Sequence, residues 1–130
     1  MKLIISLMAA AVLTGCAGQG SFTKPVDFSK SRTIFVEPIE GDLFGNESKL
    51  AFFLNSHGFD TVNVKESAEF RMRADFTYTG LKLSGYAKIT ELKTGDTVYS
   101  GNCSNGGFGT LVSPGNAIWN CLERALSGIK

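Results

Sequence analysis

The chain has 130 residues, with thirteen Lys and Arg against twelve Asp and Glu, for a formal net charge of +1. That length fits one domain, and so even a balance provides no field for gathering nucleic acid, so nucleic-acid binding is not expected. Ten Phe, three Tyr and one Trp supply the bulk for a packed core, which argues against a disordered chain.

Lys2 carries the only charge before residue 16, and residues 3–13 are apolar apart from Ser6. A short charged start and an apolar run of this length read as a signal peptide over residues 1–15. The run is too short to span a bilayer, which takes about 20 apolar residues. It ends in Leu13-Thr14-Gly15-Cys16. That sequence resembles the lipobox of type II signal peptides, in which an apolar residue and two small ones precede a cysteine. The resemblance implies a bacterial lipoprotein cut before Cys16, with acyl chains of the palmitate kind on that cysteine. Two or three such chains hold firmly, because each buried CH₂ contributes roughly 0.8 kcal/mol. Residue 17 is Ala, not the Asp that in enteric-type bacteria holds lipoproteins at the inner membrane. The implied address is therefore the outer membrane, facing the periplasm.

Cleavage removes one basic residue and leaves twelve charges of each sign. With Cys16 assigned to lipid, Cys103 and Cys121 remain. In an oxidising compartment an even remainder points to a disulfide, with two buried free thiols as the alternative. A bridge over a loop of this size stabilises a fold by roughly 3 kcal/mol on the chain-entropy model.

Residues 17–31 are small, polar and interrupted by Pro25, and with Cys16 they read as a tether over residues 16–31. Fifteen such residues at roughly 3.3 Å each reach about 50 Å from a bilayer. The globular domain is expected over residues 32–130. A first strand over residues 32–38 places Ile34 and Val36 on one face. Residues 42–46, which include Gly45 and follow Gly41, read as a loop. Asn46 is the expected N-cap of a helix with Leu50, Phe53, Leu54 and His57 at helical spacing and Gly58 as its C-terminal cap. Residues 59–64 read as a second strand.

From Phe70 to Tyr78, apolar residues alternate with Arg71, Arg73, Asp75 and Thr77, the pattern of a strand with one buried and one wet face. The phase breaks at Gly80, which suggests a bulge at Thr79-Gly80. A hairpin loop at Leu83-Ser84-Gly85 would then set Leu81 opposite Ala87. Residues 86–92 and 97–102 are two further strands around the Lys93-Thr94-Gly95-Asp96 turn. Residues 101–112 are Gly-rich and read as a loop. Ser113-Pro114 starts a last helix, with Ala117, Ile118, Cys121, Leu122, Ala125, Leu126 and Ile129 along one face. The expected fold is α+β: a two-layer sandwich of about five mostly antiparallel strands and two helices, in the order β-α-β-β-β-β-α.

A nucleophile needs a base beside it and a group to orient that base. His57 is the sole imidazole and reads as a helix-end residue, where the dipole suits a cation. Glu37 and Glu40 flank Pro38 with no cleft implied, and Asp75 sits between arginines. Gly106-Gly107-Phe108-Gly109 lacks the Lys-Ser/Thr of a phosphate loop. No catalytic, cofactor or metal site is expected. The residues singled out for partner binding are Phe108, as an aromatic anchor on the Gly-rich loop, and Arg71 and Arg73, facing an anionic partner such as peptidoglycan.

Thr33-Ile34-Phe35-Val36-Glu37-Pro38 before a helix, Gly58-Phe59 at a strand start and the Thr94-Gly95 turn are similar to small periplasmic lipoprotein domains. These include the activators of peptidoglycan synthases and the curli-secretion lipoproteins. The Gly-rich loop and the Cys103/Cys121 pair depart from that pattern, so no partner residue is carried over. The sequence thus leads to a non-enzymatic binding or scaffold component of the envelope. Its partners would be the bilayer, through Cys16, and an envelope protein or peptidoglycan. The alternative is an inhibitor or immunity lipoprotein against a wall-lytic enzyme.

Overall fold

The computed structural model describes residues 16–27, 32–40, 45–78, 82–106 and 114–129. Its strands are β1 (Cys16–Phe22), β2 (Arg32–Val36), β3 (Phe59–Val62), β4 (Phe70–Tyr78), β5 (Lys82–Glu91) and β6 (Thr97–Gly106). Helix α1 (Asn46–Ser56) joins β2 to β3, a 3₁₀ turn (Lys65–Ser67) precedes β4, and helix α2 (Pro114–Ala125) follows β6. The strands form one sheet in the order β1-β6-β5-β4-β2-β3. Pairing is antiparallel from β1 through β4 and parallel between β4 and β2 and between β2 and β3. The fold is α+β, with both helices on one face of a mixed sheet.

Alternation sets that face. Phe70, Met72 and Ala74 of β4 are buried, as are Leu83, Ala87 and Ile89 of β5 and Ile34 of β2. Leu50 and Leu54 of α1 pack onto them, as do Ala117, Ile118, Cys121, Leu122 and Ala125 of α2 and then Leu126 and Ile129. The stripe expected along the last helix is therefore the buried one. Cys121 on that stripe is bonded to Cys103 of β6, with Cα atoms 5.2 Å apart.

Three elements differ from the sequence expectation. The first is residues 16–31, expected as a tether: Cys16–Phe22 is an edge strand, paired with β6 from Cys16↔Asn105 to Phe22↔Tyr99. Its small residues are there because α2 lies close above it. A Cβ at Gly18 would stand 2.8 Å from Arg124 Cβ, and one at Gly20 would collide with the Ala125 carbonyl oxygen and the Tyr99 hydroxyl. Composition that resembles a linker is here the imprint of a helix.

The second difference is the β4–β5 hairpin. Leu83, Ser84 and Gly85 are not a turn but strand residues paired with Tyr78, Thr77 and Phe76, so Ala87 faces Ala74, not Leu81. Gly85 serves close packing, since a Cβ there would lie 2.9 Å from the Asp75 carbonyl oxygen and 3.3 Å from Cys103 Sγ. Leu81 and the bulge expected at Thr79-Gly80 lie outside the described residues. The third difference is the Gly-rich segment: its first six residues, 101–106, continue β6, and Phe108 lies outside the described residues. Gly101 again sits under the helix, where a Cβ would collide with the Ala125 carbonyl.

The cap expected at Asn46 is displaced by one residue, whereas Gly58 stands in its expected place. Gly45, at φ 72°, precedes α1, so that Asn46 is its first, buried residue instead of its cap. Gly58 has φ 98° after the helix, and Gly95 has φ 77° in the β5–β6 turn, where its N–H donates to the Glu91 carbonyl at 2.8 Å.

Candidate functional site

Two surfaces gather side chains with binding chemistry: a groove in the helix layer and the uncovered face of the sheet. The groove, of about 510 Å³, runs between α1 and α2. Helix α1 turns Leu50 and Leu54 to the sheet, which leaves Lys49, Phe52, Phe53 and His57 on its flank. Phe53 and His57 are four residues apart, one above the other on the helix, and their rings stack with centroids 4.1 Å apart. Trp119 of α2 meets Phe53 edge-on at 6.5 Å. Phe52 beside them is 75% exposed. Lys49 and Glu123 stand at the polar rim. A more polar hollow of about 750 Å³ shares Phe53 and Glu123 and continues past Asn105, Asn120 and Arg124.

His57 Nδ1 lies 2.8 Å from the Phe53 carbonyl oxygen. A carbonyl only accepts, so Nδ1 carries the hydrogen and Nε2 is left as an acceptor when the ring is neutral. His57 and Glu123 line the same groove, yet no hydrogen bond joins them among the described residues. Ser56, the nearby hydroxyl, donates to the Phe52 carbonyl at 2.9 Å. Among the described residues no group of three or more His, Cys, Asp or Glu converges to hold a metal. The chemistry on offer is aromatic and apolar contact with a polar rim.

On the uncovered sheet face, Arg71 and Arg73 both project from β4 but differ in engagement. Arg71 is half-buried, and its Nε lies 3.7 Å from Glu37 Oε1, an oxygen also 3.7 Å from Lys65 Nζ. Arg73 is exposed and stands directly opposite Lys88 of β5. Neither of these two has an ion-pair partner among the described residues. Tyr86, Ser100 and Asn102 continue the face as a polar surface.

Sequence reasoning missed Phe52 and Trp119. The signal was there: each is a large aromatic one position off the buried stripe of its helix, beside Phe53 and Ile118 respectively. Phe52 is exposed and Trp119 only partly covered by the core, and aromatic side chains so placed are the kind that binding surfaces use.

No family model matches the chain, and no curated protein matches it. Among solved structures, it is similar to the PelC dodecamer from Paraburkholderia phytofirmans, at 12% identity and TM-score 0.60, over 88% of this chain and 96% of that one. It is also similar to a DUF4136 family protein from Bacteroides thetaiotaomicron, at 11% identity and TM-score 0.62, over 88% and 94%. The lipoprotein GNA1162 from Neisseria meningitidis matches at 17% identity and TM-score 0.48, over 74% and 99%. For the first two the likeness is one of fold. No described helix is long and apolar enough to cross a membrane.

Proposed function

We propose that this chain is a non-enzymatic protein of the bacterial envelope, anchored through lipid on Cys16 to the outer membrane. In this reading it faces the periplasm, and the groove between α1 and α2 is its protein-binding surface. The observation that carries the groove is Phe52, 75% exposed beside the Phe53, His57 and Trp119 rings. Exposed apolar surface of this kind costs solubility unless a partner covers it. The first partner to test is a further copy of the chain, because the similar fold of PelC is described as a dodecamer.

A photo-crosslinking residue in place of Phe52, in intact envelopes, is the test, with the same residue in place of Ser100 on the sheet's open face as control. The expected result is one discrete adduct from position 52, at about twice the mass of the chain, that disappears with Trp119→Asp. An adduct with a different envelope protein replaces the self-association reading but keeps the groove. No discrete adduct, or the same pattern from position 100, overturns the groove as the binding surface.

A further inference from the structure

We infer that the domain sits directly against the lipid surface, with the Cys16 end of its sheet towards the bilayer and no spacer between lipid and fold. This inference rests on the reading of Cys16 as the acylated residue. Strand β1 begins at Cys16 itself, in register with Asn105. Each of the six residues after Cys16 is also paired with β6, so none is left over as slack.

The strand is also held from above. Gly18 packs under Arg124, and Gly20 under the Ala125 carbonyl and the Tyr99 hydroxyl. Gly128 lies against the backbone of Gly20 and Ser21. The Phe22 ring meets the Tyr99 ring edge-on at 5.0 Å. Peeling β1 away to serve as a tether would break its ladder with β6 and uncover Tyr99, which is fully buried.

The register then orients the molecule. Cys16 pairs with Asn105, Asn105 with Leu83, and Leu83 with Tyr78, so four strands end abreast of the anchor. Lys82, paired with Gly106, is one residue nearer the lipid than Cys16 in that register, and it is exposed. At the other end of the same strands lie Thr23, bonded to the Val98 carbonyl, and the Glu91–Asp96 turn. Seven strand residues place that end about 23 Å further from the bilayer.

The experiment uses the full lipidated protein in phosphatidylethanolamine/phosphatidylglycerol vesicles containing a spin-labelled lipid as quencher. A thiol-reactive fluorophore is placed at Lys82→Cys or Lys93→Cys, both exposed, while acylation and the disulfide occupy the native cysteines. Severalfold stronger quenching at position 82 than at position 93 is the expected result. A ten-residue Gly/Ser insertion between Cys16 and Ala17 is expected to remove that difference. Equal quenching at both positions without the insertion overturns the orientation and leaves the anchor standing. Membrane retention of Cys16→Ser equal to wild type overturns the anchor reading, and this inference with it.

Discussion

Tyr99 shows how a single hydroxyl ties the end of the chain to the sheet. Its side chain is fully buried, and it donates to the Ala125 carbonyl at 2.6 Å while accepting from the Gly128 N–H at 3.1 Å. Carbonyls in the last turn of a helix have no partner within the helix, so this bond satisfies one that would otherwise be stranded. Tyr99→Phe keeps the packing and orphans both backbone groups. A loss of about 1–3 kcal/mol is expected in urea unfolding. Burial raises the Tyr99 pKa above its ordinary value, partly offset by the hydrogen bond from Gly128. In the unfolded chain the phenol ionises near pH 10. The folded state holds the proton longer, so this group's contribution is fully present below about pH 10 and is lost as pH rises further. Alkaline unfolding curves check the sign: the steeper fall above that pH is expected in wild type and reduced in Tyr99→Phe.

At the scale of elements, the contact between α2 and the β1–β6 edge depends on glycine more than on apolar bulk. The stripe along α2 is legible because seven small and apolar residues recur at helical spacing with nothing to contradict them. Strand β4 is legible because nine residues alternate strictly. The glycines under α2 mislead, because periodicity arguments count what side chains bury and a glycine buries none. Gly101 falls in the sequence both at the end of the expected strand 97–102 and at the start of the expected loop 101–112, yet it lies well within β6, where a side chain would strike the Ala125 carbonyl. Helix backbone cannot yield as a flexible side chain does. Gly101→Ala is therefore expected to cost about 1–3 kcal/mol, the range for overpacking a well-filled contact. The same change at Gly95, with nothing within 4 Å but φ 77°, acts through backbone strain alone and is expected to cost about 1 kcal/mol. Thermal melts of the two variants separate the mechanisms if Gly101→Ala is the more damaging.

For the molecule as a whole, the proposed anchor residue carries a signal in the sequence, but the role of the next six residues does not. Cys16 stands out as the proposed lipidation site because Leu13-Thr14-Gly15-Cys16, which resembles a lipobox, lies at the edge of an apolar run. Residues 17–22 give no such signal, since their partner, β6, lies some 80 residues away and both segments are rich in small residues. A deletion distinguishes a linker from a strand. If residues 17–22 were a linker, removing them would shorten reach and leave stability unchanged. As β1, they cover the Tyr99 ring with Phe22, cap the free edge of β6 and bring Gly20 up to the Ala125 carbonyl. The ladder bonds contribute little net, because ordering the strand costs a similar free energy. What remains is the apolar cover around Phe22 and Tyr99, of about 2 kcal/mol. In a domain of this size that corresponds to a fall in Tm of about 10 °C. The deletion also leaves β6 as a long unpaired edge, which invites pairing between molecules. Melting and size-exclusion chromatography of the unlipidated chain, with and without residues 17–22, check both effects. An unchanged Tm with a monomeric profile would return the segment to a linker and remove the ground for the proposed seating of the fold on the membrane surface.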